Sequence, residues 1–219
     1  MVILVCSCDK NDDLFEPFHH CIEKYYPEHP EIIYATETIK NPYYRTICID
    51  YPLELWTKRI RETLTEINDK QILLMIDDIF IRNPVDIKRI EYARSILKGN
   101  VALINFEKVF NKEDKECGLN GFKMRKKGSE YELSLMCGLW DKEKLFNILQ
   151  KDSDPWTVEY NQDTKGYDYL INSGDYIIDW GYRTFHNVGV MKGKWAREVI
   201  PFFEKEGIKI DYSRRGFYD

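Results

Sequence analysis

The sequence lacks any apolar run long enough to cross a membrane and any common nucleotide-binding loop motif. A membrane-spanning helix needs about twenty apolar residues, whereas the apolar start "MVILVC" breaks into charge at Asp9. No basic region precedes this start, so we predict a first strand and not a targeting segment. Neither G-x-G-x-x-G nor G-x-x-x-x-G-K-[ST] occurs. Any phosphate-binding site must therefore be built without a glycine cradle.

The chain also lacks an excess of basic charge and a cysteine framework. It has 32 basic and 37 acidic residues and a formal net charge of -5, so no global attraction to nucleic acid or anionic lipid is expected. Its 6 cysteines form no CxxC pair, which disfavours a zinc site, and they are too scattered for a disulfide framework. We expect reduced thiols in a cytoplasmic protein.

What the first half does have is an alternation of strand-like and helix-like segments. Apolar runs bounded by turn residues predict strands, and apolar residues at helical spacing predict helices between them. The predicted strands are 2–6, 31–36, 45–51 and 71–76, and the predicted helices are 14–26, 53–68 and 84–99. The run "QILLMI" is apolar throughout, as expected of a central strand covered on both faces. This order predicts an α/β fold with a mainly parallel sheet flanked by helices.

The second half is predicted to differ in character. Strands are expected at 101–107 and 130–141, followed by a helix at 142–150 and a loop carrying "DSDPWTVEYN". Residues 169–195 are dense in aromatics and glycine, which favours strands and turns, and 196–207 predict a last helix. There is no internal repeat and no Gly/Ser linker, so residues 1–219 are predicted to form a single domain.

The strongest candidate for chemistry is the pair Asp77 and Asp78, directly after "QILLMI". Two adjacent carboxylates repel each other, and burying either is costly unless a cation or donor compensates. Carboxylate oxygens suit Mg²⁺ or Mn²⁺, which could bridge to a diphosphate at the carboxyl end of a parallel strand. The alternative is a turn and N-cap pair before the helix that begins near Pro84.

Four segments, taken in order and spacing, resemble bacterial nucleotide-sugar glycosyltransferases of the GT-A fold, particularly capsular and surface-polysaccharide types. They are "SCDK", "LWTKRIRETL", "ILLMIDDIFIRNPVD" and "LSLMCGLWDKEKLFNIL" with its following "DPWTVEY". The resemblance covers about residues 1–160 and continues loosely through "HNVGVMKGKW". It implies a GT-A-like (Rossmann-like) mixed, mainly parallel sheet flanked by helices. It also implies an enzyme that moves a sugar from a nucleoside-diphosphate sugar to an acceptor hydroxyl in surface or capsular glycan synthesis.

The resemblance implies roles for individual residues. The family usually places two aspartates one residue apart at its metal, whereas here Asp77 and Asp78 are adjacent and Ile79 takes the third position. Asp78 and His186 are implied as ligands of Mn²⁺ or Mg²⁺, and Glu159 as the general base of an inverting reaction. Lys192 and Lys194 are candidates for phosphate contacts. The implied nucleotide-binding residues are Ser7, Cys8, Asp9, Trp56, Arg59 and Asp77.

The resemblance also bears on partners and location. It implies a nucleotide-sugar donor and a glycan or lipid-linked acceptor, with no nucleic acid. The location would be cytoplasmic, including the inner membrane face as a peripheral protein. The basic runs "KMRKKG" and "SRRGFYD" are either solvated loops or contacts for an anionic membrane or a lipid-diphosphate acceptor.

Ordinary structural explanations stay open for each candidate residue. Asp9 could cap the first helix, Trp56 could be core, and Arg59 could lie on a solvated helix face. Glu159 could be an exposed loop residue, and His186 could belong to an aromatic cluster.

Two other functions compete with the transferase. A nucleotidyltransferase usually carries glycine in the loop after the first strand, and "SCDKNDD" has none. A catalytically silent GT-A-like module that binds a partner glycosyltransferase or a glycan is favoured by the departure from the usual metal motif.

Overall fold

The computed structural model describes residues 1–108, 112–161, 163–181 and 189–218. Strands and helices alternate through the first half at the predicted places. Two short 3-10 turns, at Asp9–Leu14 and Leu53–Leu55, precede the first two helices. The elements in order are β1 (Val2–Cys6), α1 (Phe15–Tyr25), β2 (Ile32–Thr36), β3 (Arg45–Cys48), α2 (Trp56–Thr65), β4 (Gln71–Ile76) and α3 (Ile87–Ile96).

The second half departs from its predicted pattern in three places. Two short strands lie at 115–116 and 122–124, where no element was predicted. The strand predicted over 130–141 is confined to its last residues, and the segment predicted as a loop at 152–161 contains a helix. The elements are β5 (Val101–Asn105), β6 (Lys115–Glu116), β7 (Phe122–Met124), β8 (Cys137–Asp141), α4 (Lys142–Ile148), α5 (Pro155–Asn161), β9 (Asp168–Asn172), β10 (Val190–Met191), β11 (Lys194–Trp195) and α6 (Ile200–Glu206).

The helix α5 has a local cause. The Asp154 carboxylate accepts hydrogen bonds from the Thr157 backbone N–H at 2.8 Å and from its hydroxyl at 2.7 Å. Pro155 occupies the first helical position, where a missing N–H costs nothing. A capped first turn therefore replaces the predicted loop.

Within the described residues, nine strands form one mixed sheet in the order β3-β2-β1-β4-β8-β5-β9-β7-β6. Only β8 and β7 run against the direction of the others, so the predicted mixed, mainly parallel sheet flanked by helices is confirmed. The central position predicted for β4 is also confirmed. Its two neighbours differ, however, because it pairs parallel with β1 and antiparallel with β8.

Both faces of the sheet are covered, which explains the continuous apolar runs of its central strands. On one face the buried side chains of α1, α3 and α6 pack against the sheet. On the other face α2 and α4 supply the buried side chains. Residues 72–75 of β4 are fully buried between these two layers. The division of the chain into a single domain stays a prediction.

The pairing of β1 with β4 sets the position of the loops that follow them. Cys6 pairs with Ile76, so both strands end at the same level of the sheet. The loops that begin at Ser7 and Asp77 therefore start side by side. This edge is where ligands collect in open α/β sheets.

The sequence predicts reduced cysteines and no membrane-spanning run. All six cysteines are free thiols, as predicted. Across the described ranges, no helix combines the length and apolar character needed to cross a membrane.

Replacing Leu139 of β8 with alanine tests how tightly this reversed strand is packed. Leu139 is fully buried, so Leu139→Ala should lower the free energy of unfolding by about 2–5 kcal/mol. Leu53→Ala is the matched control, because Leu53 is 45% exposed and should change stability by about 0.5 kcal/mol or less. Urea denaturation measures both variants. Equal losses would show that β8 is not part of a packed core.

Candidate active site

A cavity of about 540 Å³ opens where the carboxyl ends of β1 and β4 meet. Most of the residues singled out from the sequence line it together. Asp9 and Lys194 are not among the described residues that line it, and His186 lies outside the described residues. The candidates that line the cavity are Ser7, Cys8, Trp56, Arg59, Asp77, Asp78, Glu159 and Lys192.

Asp77 is held in place through both carboxylate oxygens. The Ser7 hydroxyl donates to Oδ2 at 2.5 Å, and the Asn11 side-chain amide donates to Oδ1 at 3.1 Å. Asp77 is only 3% exposed, and burial raises its pKa to about 6 against the opposing effect of these two bonds. Asp77 therefore joins the end of β4 to the loop after β1.

Asp78 is the carboxyl that the described residues leave unsatisfied. Its Oδ1 is buried at the cavity without a hydrogen-bond partner among the described residues. Burial and the neighbouring Asp77 raise its pKa to about 7, while the Val190 backbone amide acts in the opposite direction. The N-cap alternative for this pair is wrong, because Asp86 caps α3 by accepting from the Arg89 backbone N–H at 3.0 Å.

The carboxylate oxygens of Asp77 and Asp78 determine what kind of metal site the cavity can form. Within the described ranges, no group of three or more His, Cys, Asp or Glu side chains could hold an ion. Asp78 Oδ1 is nevertheless an acceptor without a partner among the described residues, whereas both Asp77 oxygens already accept hydrogen bonds. Mg²⁺ commonly takes one or two carboxylates, with substrate phosphates and water completing its shell. The residues present thus fit a metal shared with a diphosphate and not a cage made of protein alone.

Arg59 and Trp56 form a buried wall of the cavity on α2. Arg59 is 1% exposed and donates from Nη1 to the Glu37 carboxylate and from Nη2 to the Ser7 carbonyl at 3.4 Å. A solvated helix face is therefore the wrong interpretation for Arg59. Trp56 is 6% exposed and belongs to the core while it lines the cavity.

Asp9 connects two loops through hydrogen bonds. Its carboxylate accepts from the Thr38 hydroxyl at 2.6 Å and from the Ile39 backbone N–H at 2.9 Å. Its own backbone N–H donates to Glu37 at 2.6 Å. The loop after β1 is thereby tied to the loop after β2, and the nucleotide contact for Asp9 stays a prediction.

Glu159 approaches the cavity from α5. Leu135 donates its backbone N–H to Glu159 Oε1 at 2.7 Å, which orients the carboxyl. Burial raises the Glu159 pKa to about 7, and the charge of Glu107 adds to the increase. A carboxyl with a pKa near the working pH suits a proton acceptor. The exposed-loop alternative is wrong, since Glu159 lies in a helix and is partly buried.

The start of α2 fixes α5 in front of the cavity. The Thr57 hydroxyl donates to the Lys151 carbonyl at 3.0 Å and accepts from the Ser153 backbone N–H at 2.9 Å. The Thr57 backbone N–H donates to the Ser153 carbonyl at 3.0 Å. The chain between α4 and α5 is therefore bound to the wall that carries Trp56 and Arg59.

One arginine of each basic run is held by the fold, whereas Lys126, Lys127 and Arg214 are exposed, as the solvated-loop alternative predicted. Arg125, from "KMRKKG", is 4% exposed, lines the cavity and donates from Nη1 to Asp114 at 3.1 Å. Arg215, from "SRRGFYD", donates from Nε to Asp13 at 2.7 Å and from Nη2 to Asn11 Oδ1 at 3.0 Å. Since Asn11 in turn donates to Asp77, the C-terminal segment orients one of the donors that satisfy Asp77.

Comparison with known proteins finds similarity to solved structures only. No protein-family model matches the chain, and a search of the curated proteins finds no match. The bifunctional IspDF from Campylobacter jejuni is 11% identical with a TM-score of 0.45, over 80% of this chain and 50% of that one. This chain thus spans half the length of that enzyme.

Two further solved structures illustrate the range of similar folds. A galactosyltransferase, LgtC, in complex with donor and acceptor sugar analogs is 14% identical with a TM-score of 0.43, covering 77% of this chain and 67% of that one. A cytidylyltransferase from Leptospira borgpetersenii is 10% identical with a TM-score of 0.45, covering 100% of this chain and 98% of that one. Similarity at this level does not assign an activity.

Glu159→Gln should stabilise the protein at pH 8 and leave its stability nearly unchanged at pH 4. The pKa of Glu159 is raised from 4.5 to about 7 in the folded state, so the folded protein binds this proton more tightly than the unfolded chain. The wild type therefore loses stability as the pH rises from 4.5 to about 7, whereas the neutral amide does not. Urea denaturation at both pH values should show a gain of about 1–3 kcal/mol at pH 8 only.

Glu143→Gln is the control for removing a charge, because Glu143 lies exposed on α4. An equal gain for Glu159→Gln at pH 4 and pH 8, or a loss at pH 8, would contradict a buried ionisable carboxyl at this position.

Proposed function

We propose that this protein is a nucleotide-sugar-dependent glycosyltransferase. It would move a sugar from a nucleoside-diphosphate sugar to an acceptor hydroxyl in surface or capsular glycan synthesis. The observation that most supports this proposal is that one cavity is lined by two different kinds of carboxyl. Asp78 offers an acceptor oxygen that no described residue satisfies, and Glu159 has a pKa raised to about 7.

The donor would bind at the end of the cavity formed by the loops after β1 and β4. Ser7 and Cys8 line the cavity there beside Trp56, in positions suited to a nucleoside. Asp78 would hold Mn²⁺ or Mg²⁺ together with the donor diphosphate. When bound, the metal would neutralise charge that develops on the leaving diphosphate. Lys192 also lines the cavity and would add a positive charge.

The acceptor would bind beside Glu159. A sugar hydroxyl is a weak nucleophile, so a positioned carboxylate must take its proton as the oxygen attacks the anomeric carbon. The hydrogen bond from Leu135 leaves Glu159 oriented for that step. One base that acts on the acceptor, without a protein nucleophile for the sugar, would give inversion at the anomeric carbon.

The acceptor class and the location follow from the same proposal. A glycan or a lipid-linked glycan supplies the hydroxyl, and no nucleic acid takes part. The protein would act in the cytoplasm, where nucleotide sugars are the donors, and would reach lipid-linked acceptors as a peripheral protein at the inner membrane face.

One observation favours a second function, a catalytically silent module that binds a glycan or a partner glycosyltransferase. Both oxygens of Asp77 accept protein hydrogen bonds, so Asp77 has fewer lone pairs to offer a two-aspartate metal site. The two functions differ in chemistry. A transferase slowly hydrolyses its donor when water takes the place of the acceptor, whereas a binding module does not.

A nucleotide-sugar donor with Mn²⁺ should raise the melting temperature, and Asp78→Ala should remove the rise. Ligand at about 100 times its Kd adds about 2.7 kcal/mol, or about 5–10 °C for a chain of this size. Thermal melting with UDP-, GDP-, ADP- and CDP-sugars measures the effect. Asp163→Ala removes an exposed aspartate and should keep the rise. A wild-type protein that responds to none of these donors would contradict the proposal.

Glu159→Gln should abolish turnover while leaving donor binding intact. Loss of the general base should lower kcat for metal-dependent donor hydrolysis by about 100- to 10,000-fold, with the donor-induced rise in melting temperature retained. Released nucleoside diphosphate is the readout. Donor binding by the wild type with no hydrolysis would favour the silent module, and unchanged hydrolysis by Glu159→Gln would remove Glu159 from the reaction.

A further inference from the structure

Trp156 differs from every other tryptophan of the chain in its exposure. All five tryptophans lie within the described ranges, and four of them are between 0% and 6% exposed. Trp156 is 56% exposed, yet it lines the cavity. A large ring left in water at the mouth of a cavity keeps its apolar face available to a ligand.

Trp156 and Glu159 line the cavity from the same helix. They are three residues apart on α5, which places their side chains on one face of the helix. Both line the cavity, and so does Leu53, which is 45% exposed. The cavity mouth therefore combines exposed apolar surface with a carboxyl that can accept a proton or a hydrogen bond.

Charge restricts what can bind beside this carboxyl. Glu107 also lines the cavity, and its charge acts directly on Glu159. Three cations line the cavity among the described residues: Arg125 is paired with Asp114 at 3.1 Å, Arg59 is paired with Glu37, and Lys192 is assigned above to the donor diphosphate. A phosphate or a carboxylate placed next to Glu159 would meet two acidic groups and be repelled. The charge at this end therefore disfavours an anionic ligand.

A neutral pyranose meets both requirements. One face of the ring presents C–H bonds whose partial positive charge matches the negative face of an indole. Hydroxyls around its edge can donate to a carboxylate. The lack of net charge avoids the repulsion from Glu107 and Glu159.

We propose that Trp156 is the platform on which a neutral pyranose of the acceptor stacks, with one ring hydroxyl directed to Glu159. This inference rests on the proposed function and narrows it, since it names the acceptor end as a binding site for uncharged sugar rings. Nucleobase stacking on Trp156 is the competing use of the same ring.

Binding of simple glycosides without donor or metal tests the inference. The probes are the methyl glycosides of glucose, galactose, mannose and N-acetylglucosamine, titrated into ¹⁵N-labelled protein. At least one should shift the Trp156 indole N–H signal and the Leu135 backbone N–H signal saturably. The indole N–H of buried Trp140 should stay in place.

Three variants separate stacking from a general structural effect. Trp156→Ala should weaken the Leu135 response at least tenfold, and Trp156→Phe should restore affinity to within about threefold, because a ring face is retained. Tyr43→Ala is the control, since Tyr43 is a 41% exposed aromatic that is not among the described cavity residues. It should bind the glycoside like the wild type.

The outcomes distinguish this inference from the function on which it rests. No saturable shift with any of the four glycosides, or equal binding by Trp156→Ala, overturns the platform. A Trp156 shift caused by a nucleoside diphosphate and not by a glycoside assigns the ring to the nucleobase and also overturns it, while the transferase proposal survives. Glycoside binding without any donor-induced rise in melting temperature supports the platform and overturns the transferase.

Discussion

Two adjacent carboxyls stand at the end of a strand that is buried on both faces, and the surrounding structure is arranged to accommodate their charge. Burying an unpaired carboxylate costs several kcal/mol, so each oxygen needs a donor or a cation. Asp77 obtains two donors from the loop after β1. Asp78 keeps one buried oxygen without a partner among the described residues. The two carboxyls therefore differ in role. Asp77 is hydrogen-bonded within the structure, and Asp78 keeps an oxygen that is available to a ligand.

Satisfying Asp77 draws distant parts of the chain to this point. Arg215, near the C-terminus, donates to Asn11 Oδ1. The side-chain N–H of the same amide is thereby directed to Asp77. The reversed strand β8 ends beside the start of β4, so α4 begins at the edge of the sheet opposite the cavity. The chain then returns through α5, which brings Glu159 to the same cavity. The proposed transferase would need both carboxyls within reach of one reacting bond.

The sequence predicted the elements that have strong periodicity and the position of the carboxyl pair. Apolar runs identified β1, β2 and β4, and the order of elements led to the edge where Asp77 and Asp78 lie. A run such as "CGLW" does not encode strand direction, so the reversal of β8 was not foreseen. The helix α5 was missed because its signal is a short Asp-Pro-x-Thr cap and its seven residues are too few for a period. The pairing of Arg125 and Arg215 was not predicted, because their partners, Asp114 and Asp13, are brought to them only by the tertiary fold.

The most direct test of a ligand role for Asp78 is a crystal structure of the protein soaked with Mn²⁺ and, in turn, UDP, GDP or CDP, with anomalous scattering measured at the manganese edge. We expect an anomalous peak about 2.0–2.3 Å from Asp78 Oδ1, with diphosphate oxygens on the same ion. A diphosphate bound away from the loops after β1 and β4, or manganese with no contact to Asp78, would contradict this role.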